Sequence, residues 1–216
     1  MMNGVTFGNK HSYRDFKLIL KSKEIKIPTP KIEKIDVFGM DGDLDVTDII
    51  SDIVRYKNRS LSFTFEFIGN QEEFMKELEI LSDYLHGKKM QVILDADPAF
   101  FYYGRCTINQ FKTDKRTCTF QIDVDADPYK MEINKYVKTF NLNGQFTTAV
   151  LENLKRIVVP EIVCSNTGVI LTINGMSYEL SSGRQKNNEI QIIDKNTEIM
   201  LSGYGTVTFE YRRGLI

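Results

Sequence analysis

Asp41-Gly42-Asp43-Leu44-Asp45 sets carboxylates at positions 1, 3 and 5 of a calcium-type loop, with Asp52 at position 12. The pattern then breaks. Val46 stands where the sharp turn needs glycine, and position 12 lacks the bidentate glutamate, so a tight Asp/Gly turn is the better reading. Asp95-Ala96-Asp97-Pro98 recurs as Asp125-Ala126-Asp127-Pro128. Paired carboxylates of that kind could serve a glycosidase or clamp a metal. They also suit the exit of a strand, because proline holds its predecessor extended and aspartate bonds nearby amides. His11 and His86 are isolated, with no G-x-S-x-G elbow or P-loop to make either a catalytic base. Gly203-Tyr204-Gly205 lacks the third glycine of a dinucleotide fingerprint, and Asn58-Arg59-Ser60 is a glycosylation sequon without a secretory signal. Phe100, Phe101, Tyr102 and Tyr103 beside Arg105 could stack on a sugar or base, but fit a half-buried strand and interface ladder better. No residue is assigned a catalytic, cofactor-binding or metal-ligating role, and no cofactor is expected.

The elements that would position these residues are mostly strands. Leu61, Phe63, Phe65 and Phe67 alternate with Ser62, Thr64 and Glu66, the period of a half-buried strand. Gln91–Asp95, Tyr103–Phe111 and Thr117–Val124 read as further strands, with Thr113-Asp114-Lys115 turning the last two into a hairpin. One helix is predicted from about Gln71 to His86. Asn70 and Glu73 make an approximate capping box, and Phe74, Leu78, Leu81 and Leu85 share a face. Gly87 suits the position just past the helix end. Residues 131–150 look polar and lightly structured, with a turn at Asn141-Leu142-Asn143-Gly144 and another near Ala149–Lys155. Short strands are expected at Val158–Val163, Val169–Ile173, Met176–Leu180, Ile190–Ile193, Ile199–Leu201 and Thr206–Tyr211. Asn174-Gly175 marks a type I′ hairpin, and Gly183–Asn188 reads as a loop. The fold class is therefore mainly β, as two domains, 1–133 with one packed α-helix and 134–216.

Composition bounds the function. Lys+Arg number 28 against 29 Asp+Glu, so no global positive field exists to hold nucleic acid or an anionic membrane. A chain of 24.9 kDa buries about 70% of its unfolded surface without staples. The first twenty residues carry Lys10, His11, Arg14, Asp15 and Lys17, which leaves no apolar core for a secretory signal. Apolar runs are too short to span a bilayer. Cys106, Cys118 and Cys164 lack C-x-x-C spacing, and a turn near Thr113–Arg116 would put Cys106 opposite about Gln121 or Ile122. Three reduced thiols in a protein made in a cytoplasm are expected. The charge is unevenly placed. Lys10 to Lys34 holds eight basic residues (Lys10, Arg14, Lys17, Lys21, Lys23, Lys26, Lys31, Lys34), and Asp36 to Asp52 holds six aspartates and no base. These are either solvated loops or complementary patches that meet between identical subunits.

Several of these strings also carry a resemblance. In order, they are Phe7-Gly8 with Ser12; Pro28-Thr29-Pro30; Gly39-Met40-Asp41-Gly42-Asp43-Leu44-Asp45-Val46-Thr47; Tyr56 with Arg59; and Leu61-Ser62-Phe63-Thr64-Phe65. Leu85-His86-Gly87-Lys88, Asp97-Pro98, Tyr102-Tyr103-Gly104-Arg105 and Asp125-Ala126-Asp127-Pro128-Tyr129-Lys130 follow. From Phe7 to Lys130 the chain resembles the distal tail protein (Dit) family of siphovirus-type phages and related prophage tails. Phe38 departs from the family by preceding Gly39 where many relatives carry proline. The second half resembles the family only in its short strands, its Asn174-Gly175 hairpin and its closing Val207–Arg213 strand. It has no room for the carbohydrate-binding modules inserted in some relatives.

The resemblance implies a hexameric ring at the tail tip of a virion, made in the bacterial host cytoplasm. Residues 1–133 would be a tail-tube-like, ring-forming domain lining the channel through which DNA passes without specific binding. Residues 134–216 would be a galectin-like peripheral β-sandwich. Expected partners are identical subunits, the major tail tube protein and tail-tip, baseplate or receptor-binding proteins, with no membrane anchor. It also implies a structural hub protein, not an enzyme. The alternative is a carbohydrate-binding module for host-wall adhesion through the C-terminal sandwich. The chain has no tryptophan for galectin-type stacking, and that half offers Phe140, Phe146, Phe209 and a few tyrosines.

Overall fold

A computed structural model describes residues 4–47, 54–113 and 117–216. The chain is mainly β and separates into two compact units, Met1–Pro128 and Tyr129–Ile216. The first holds β1 (Val5–Phe7), β2 (Lys10–His11), α1 (Ser12–Phe16), β3 (Leu18–Ile25), β4 (Lys34–Asp36), β5 (Asp43–Asp45) and β6 (Arg59–Phe67). It continues with α2 (Gln71–Leu85), β7 (Lys89–Leu94), β8 (Asp97–Thr113) and β9 (Cys118–Ala126). An antiparallel sheet runs β2-β1-β7-β8-β9-β6-β3.

The β6 alternation works as its period requires. Leu61, Phe63, Phe65 and Phe67 are buried, while Ser62, Thr64 and Glu66 stay half-exposed on the other face. The helix packs on the apolar face. Asn70 accepts from the Glu73 amide at 2.9 Å, and its side-chain amide, in place of its backbone N–H, donates to the Glu73 carboxylate at 3.1 Å, an approximate capping box as expected. Phe74, Leu81 and Leu85 are buried, and Phe74 meets Phe67 and Phe120 with ring centroids 5.7 and 6.0 Å apart. Each such buried ring contributes about 1.5–3 kcal/mol by leaving water.

Two expectations in this unit need correction, the place of Asp97-Pro98 and the partner of Cys106. Asp97-Pro98 opens β8 instead of closing a strand, because Asp95 and Ala96 form the tight link from β7, where Leu94 pairs with Asp97. The aromatic run therefore belongs to β8, with Phe101 and Tyr102 buried and Tyr103 outside. Cys106 stands opposite Val124, two or three residues past the expected partner, since the last pair before the turn is Thr113 with Cys118 and a register shift intervenes between Ile108 and Gln110. The expected turn near Thr113–Arg116 falls on residues 114–116, which lie outside the described residues.

The second unit holds β10 (Lys130–Glu132), β11 (Tyr136–Asn143), β12 (Thr147–Glu152), β13 (Glu161–Cys164), β14 (Val169–Ile173) and β15 (Met176–Leu180). β16 (Gly183–Gln185), β17 (Asn196–Ser202), β18 (Tyr204–Tyr211) and β19 (Gly214–Leu215) complete it. Two antiparallel four-stranded sheets, β11-β18-β13-β16 and β12-β17-β14-β15, form a sandwich. Ile162, Val207 and Phe209 from one sheet share a core with Leu151, Leu171 and Leu201 from the other. Asn174 and Gly175 have φ of 51° and 77°, the left-handed pair a type I′ turn demands.

Here the sequence reading was too irregular. Residues 136–143 and 147–152 are strands, so the expected Asn141–Gly144 turn moves to Gly144-Gln145, and Ala149–Glu152 is extended. Their alternation is diluted by threonine, asparagine and lysine, side chains that suit the outer face of a sheet edge. Gly183–Gln185 is a strand paired with β13, whereas Val158 and Ile192 make only an isolated bridge.

Candidate functional site

The longest wholly exposed stretch among the described residues lies between β3 and β6. All residues from Lys31 to Asp45 are exposed. They fold as an outlying hairpin in which Lys34, Ile35 and Asp36 of β4 pair with Asp45, Leu44 and Asp43 of β5. Gly39 (φ 83°) and Gly42 (φ 78°) allow the turn. Ile35 and Leu44, directly opposed, are 51% and 42% exposed, and Phe38 at the tip is 105% exposed. An isolated two-stranded hairpin is marginal by itself, and apolar side chains shown together on one mark an interaction surface. The sequence signal was Val37-Phe38-Gly39-Met40, apolar residues inside a turn, which charge counting passed over.

The same hairpin carries Asp36, Asp41, Asp43 and Asp45, while Asp48 and Asp52 lie outside the described residues. The calcium-loop arrangement is not formed. Asp43 and Asp45 sit in a strand, Lys34 Nζ stands 3.9 Å from Asp43, and Asp45 accepts from the Thr47 amide at 3.0 Å. Hydrogen bonds from the Thr47 side chain and backbone hold the Asp45 carboxyl below its ordinary range. Among the described residues no three His, Cys, Asp or Glu side chains gather as a metal site.

The basic stretch is partly neutralised within the chain. Lys21 pairs with Glu66 at 2.7 Å, and Lys26 lies 3.8 Å from Glu24. Lys10 sits over the Phe16 and Tyr84 rings at 5.3 and 4.8 Å. Arg14, Lys17, Lys23 and Lys31 have no ion-pair partner among the described residues. β3 is a sheet edge, and its Lys21 and Lys23 are of the kind that guard such an edge.

The candidate chemistry residues are dispersed into structural duties. His11 is buried; its Nδ1 accepts from the Tyr13 and Arg14 amides at 3.1 and 3.3 Å, capping α1. The ring proton is therefore assigned to Nε2, which faces Asp95 at 3.0 Å. Both ring nitrogens are thus engaged in structural contacts, and the neighbouring Ser12 hydroxyl accepts from the Val5 amide. Asp95 also accepts from the Gly4 amide, Asp125 from Asn58, and Asp127 pairs with Lys89 at 2.9 Å. His86 accepts from the Ile108 amide. Arg59, 5% exposed, donates to the Lys26 carbonyl at 3.0 Å and stacks over Tyr102 at 5.1 Å.

The fold of both units recurs in a solved structure. The crystal structure of the phage SPP1 Dit protein, described as a paradigm of the hub adsorption apparatus in Gram-positive infecting phages, superposes with a TM-score of 0.71. The match covers 98% of this chain and 99% of that one, at 14% sequence identity. The chain has the Dit fold. The resemblance found in the motifs from Phe7 to Lys130 thus holds at the level of fold, and it extends through the second unit. No protein-family model matches the sequence, and no curated protein matches it significantly. At this identity the side chains of the Dit fold have diverged, so the backbone plan is what the two proteins share.

Proposed function

We propose that this protein is a structural hub of the tail tip of a phage, prophage or tail-like particle. The correspondence with a hub adsorption protein over both units and nearly the whole of each chain carries this reading. Residues 1–133 close a hexameric ring that joins the tail tube to the tip or baseplate and surrounds a DNA channel. Residues 134–216 form a galectin-like domain for docking other tail proteins. The exposed acidic and apolar hairpin Lys31–Asp45 supports the ring, because it offers a neighbouring subunit both charge and apolar surface. Arg14, Lys17, Lys23 and Lys31 are the groups it would meet. Near-neutrality suits a conduit, since neutralising phosphates is what makes DNA stick.

The test is the assembly state. Light scattering at high protein concentration, with and without the tail tube protein, should give a mass near six times 24.9 kDa, and negative stain should show six-fold rings. A monomer under both conditions refutes the proposal.

A further inference from the structure

Three loops of the second unit meet around Tyr204. The β11–β12 loop joins the β17–β18 loop through the Gly144 amide, which donates to the Gly203 carbonyl at 2.8 Å. The β13–β14 loop lies on the other side, where the Ser165 hydroxyl accepts from the Thr206 amide at 2.8 Å. Gly203 and Gly205 flank the tyrosine with φ of 122° and 108°. A side chain on Gly205 would meet the Ser165 hydroxyl at 2.3 Å. A Cβ on Gly144 (φ 90°) would stand 2.5 Å from the Tyr204 ring. The ring therefore rests on bare backbone, with 68% of the residue in solvent. Phe146, in the same loop as Gly144, is 78% exposed.

The composition around these rings selects the ligand. Residues 143–148, 165–170 and 202–206 include no charged side chain in a chain that is 26% charged. They present the amides Asn143, Gln145 and Asn166 and the hydroxyl of Thr167, all exposed. Uncharged donors and acceptors beside a flat, pre-positioned aromatic face match a neutral polyhydroxylated ring, whose C–H face stacks while its hydroxyls pair with amides. A tyrosine held by its backbone loses little entropy on binding.

We infer that this loop end is a binding site for neutral hexopyranose chains, with Tyr204 as the stacking platform and Phe146 as a second apolar contact. The site is independent of whether the protein closes a ring, and each copy carries one.

Titration of the ¹⁵N-labelled protein with cellohexaose, chitohexaose and a galactan hexamer, against hyaluronan hexasaccharide as an anionic control, tests it. At least one neutral oligomer should shift the amides of Gly144, Gly203 and Gly205. Tyr204→Ala should weaken that binding about ten-fold, the size of a lost aromatic stack, while Tyr204→Phe keeps it within about two-fold. Phe146→Ala reads the same surface without touching the Gly144 packing, and should weaken binding with no change in melting temperature. Failure of every neutral oligomer at about 10 mM, tighter binding of hyaluronan, or equal binding by Phe146→Ala and Tyr204→Phe at shifts remote from these glycines overturns the inference. So does a tail protein that needs Tyr204 while no saccharide does.

Discussion

Phe38 projects from the tip of the β4–β5 hairpin with its ring in solvent, so Phe38→Ser separates assembly from folding. None of the described residues packs on that ring, and the substitution should leave the stability of the subunit within about 0.5 kcal/mol. In the proposed ring the same side chain is buried against a neighbour. Full burial of a phenylalanine is worth about 1.5–3 kcal/mol, a factor of roughly 10–150 in the pairwise dissociation constant. Ile35→Ser, on the Ile35–Leu44 pair, should act in the same direction but less, since Ile35 is already half-covered. Sedimentation velocity across a concentration series measures the association, and a urea melt of the dissociated protein measures the fold. Loss of stability with assembly intact would show that the hairpin closes onto its own subunit. No change in either would remove the hairpin from the contact and leave the ring without its apolar anchor.

Raising salt from about 0.05 to 0.5 M should increase ring dissociation, because the Debye length shrinks from over 10 Å to below 5 Å; assembly indifferent to salt refutes the charge part of the contact. Arg59→Met should destabilise the first unit by about 1–3 kcal/mol through two orphaned carbonyls, and Arg59→Lys should do no better, because an ammonium cannot span the Lys26 and Pro128 carbonyls; full rescue by lysine in urea melts would refute this. Burial pushes the Cys106 thiol up to about 12 from an ordinary 9.0. A folded value above the unfolded one leaves stability intact below pH 9 and removes it as pH rises towards 12, so Cys106→Ala should flatten that alkaline loss in a melt series. At about pH 8 a thiol reagent should label Cys106 only as fast as the protein opens; rapid labelling of the folded chain would contradict its burial.

Legibility followed the range of the interaction. The β6 strand, the α2 capping box and the Asn174-Gly175 turn were readable because each is decided within a few residues. Alternation, an amide in reach of its own backbone, and two positive φ values need no distant partner. β11 and β12 were missed because both are edge strands with a blurred alternation: Lys138 and Thr147 take half-buried positions while Val137 and Val150 are exposed.

The chain by itself therefore determined the fold class, the elements decided within a few residues, and the order of motifs that resembles the Dit family. Only the tertiary structure decided what the singled-out residues do. It joined His11 to Asp95, Lys21 to Glu66 and Asp127 to Lys89. It left Phe38 bare on an outlying hairpin and gathered three uncharged loops around Tyr204. Those outcomes depend on which strands become neighbours and in what register. That is settled by burying two whole cores at once, a sum over distant residues that no short stretch of sequence contains.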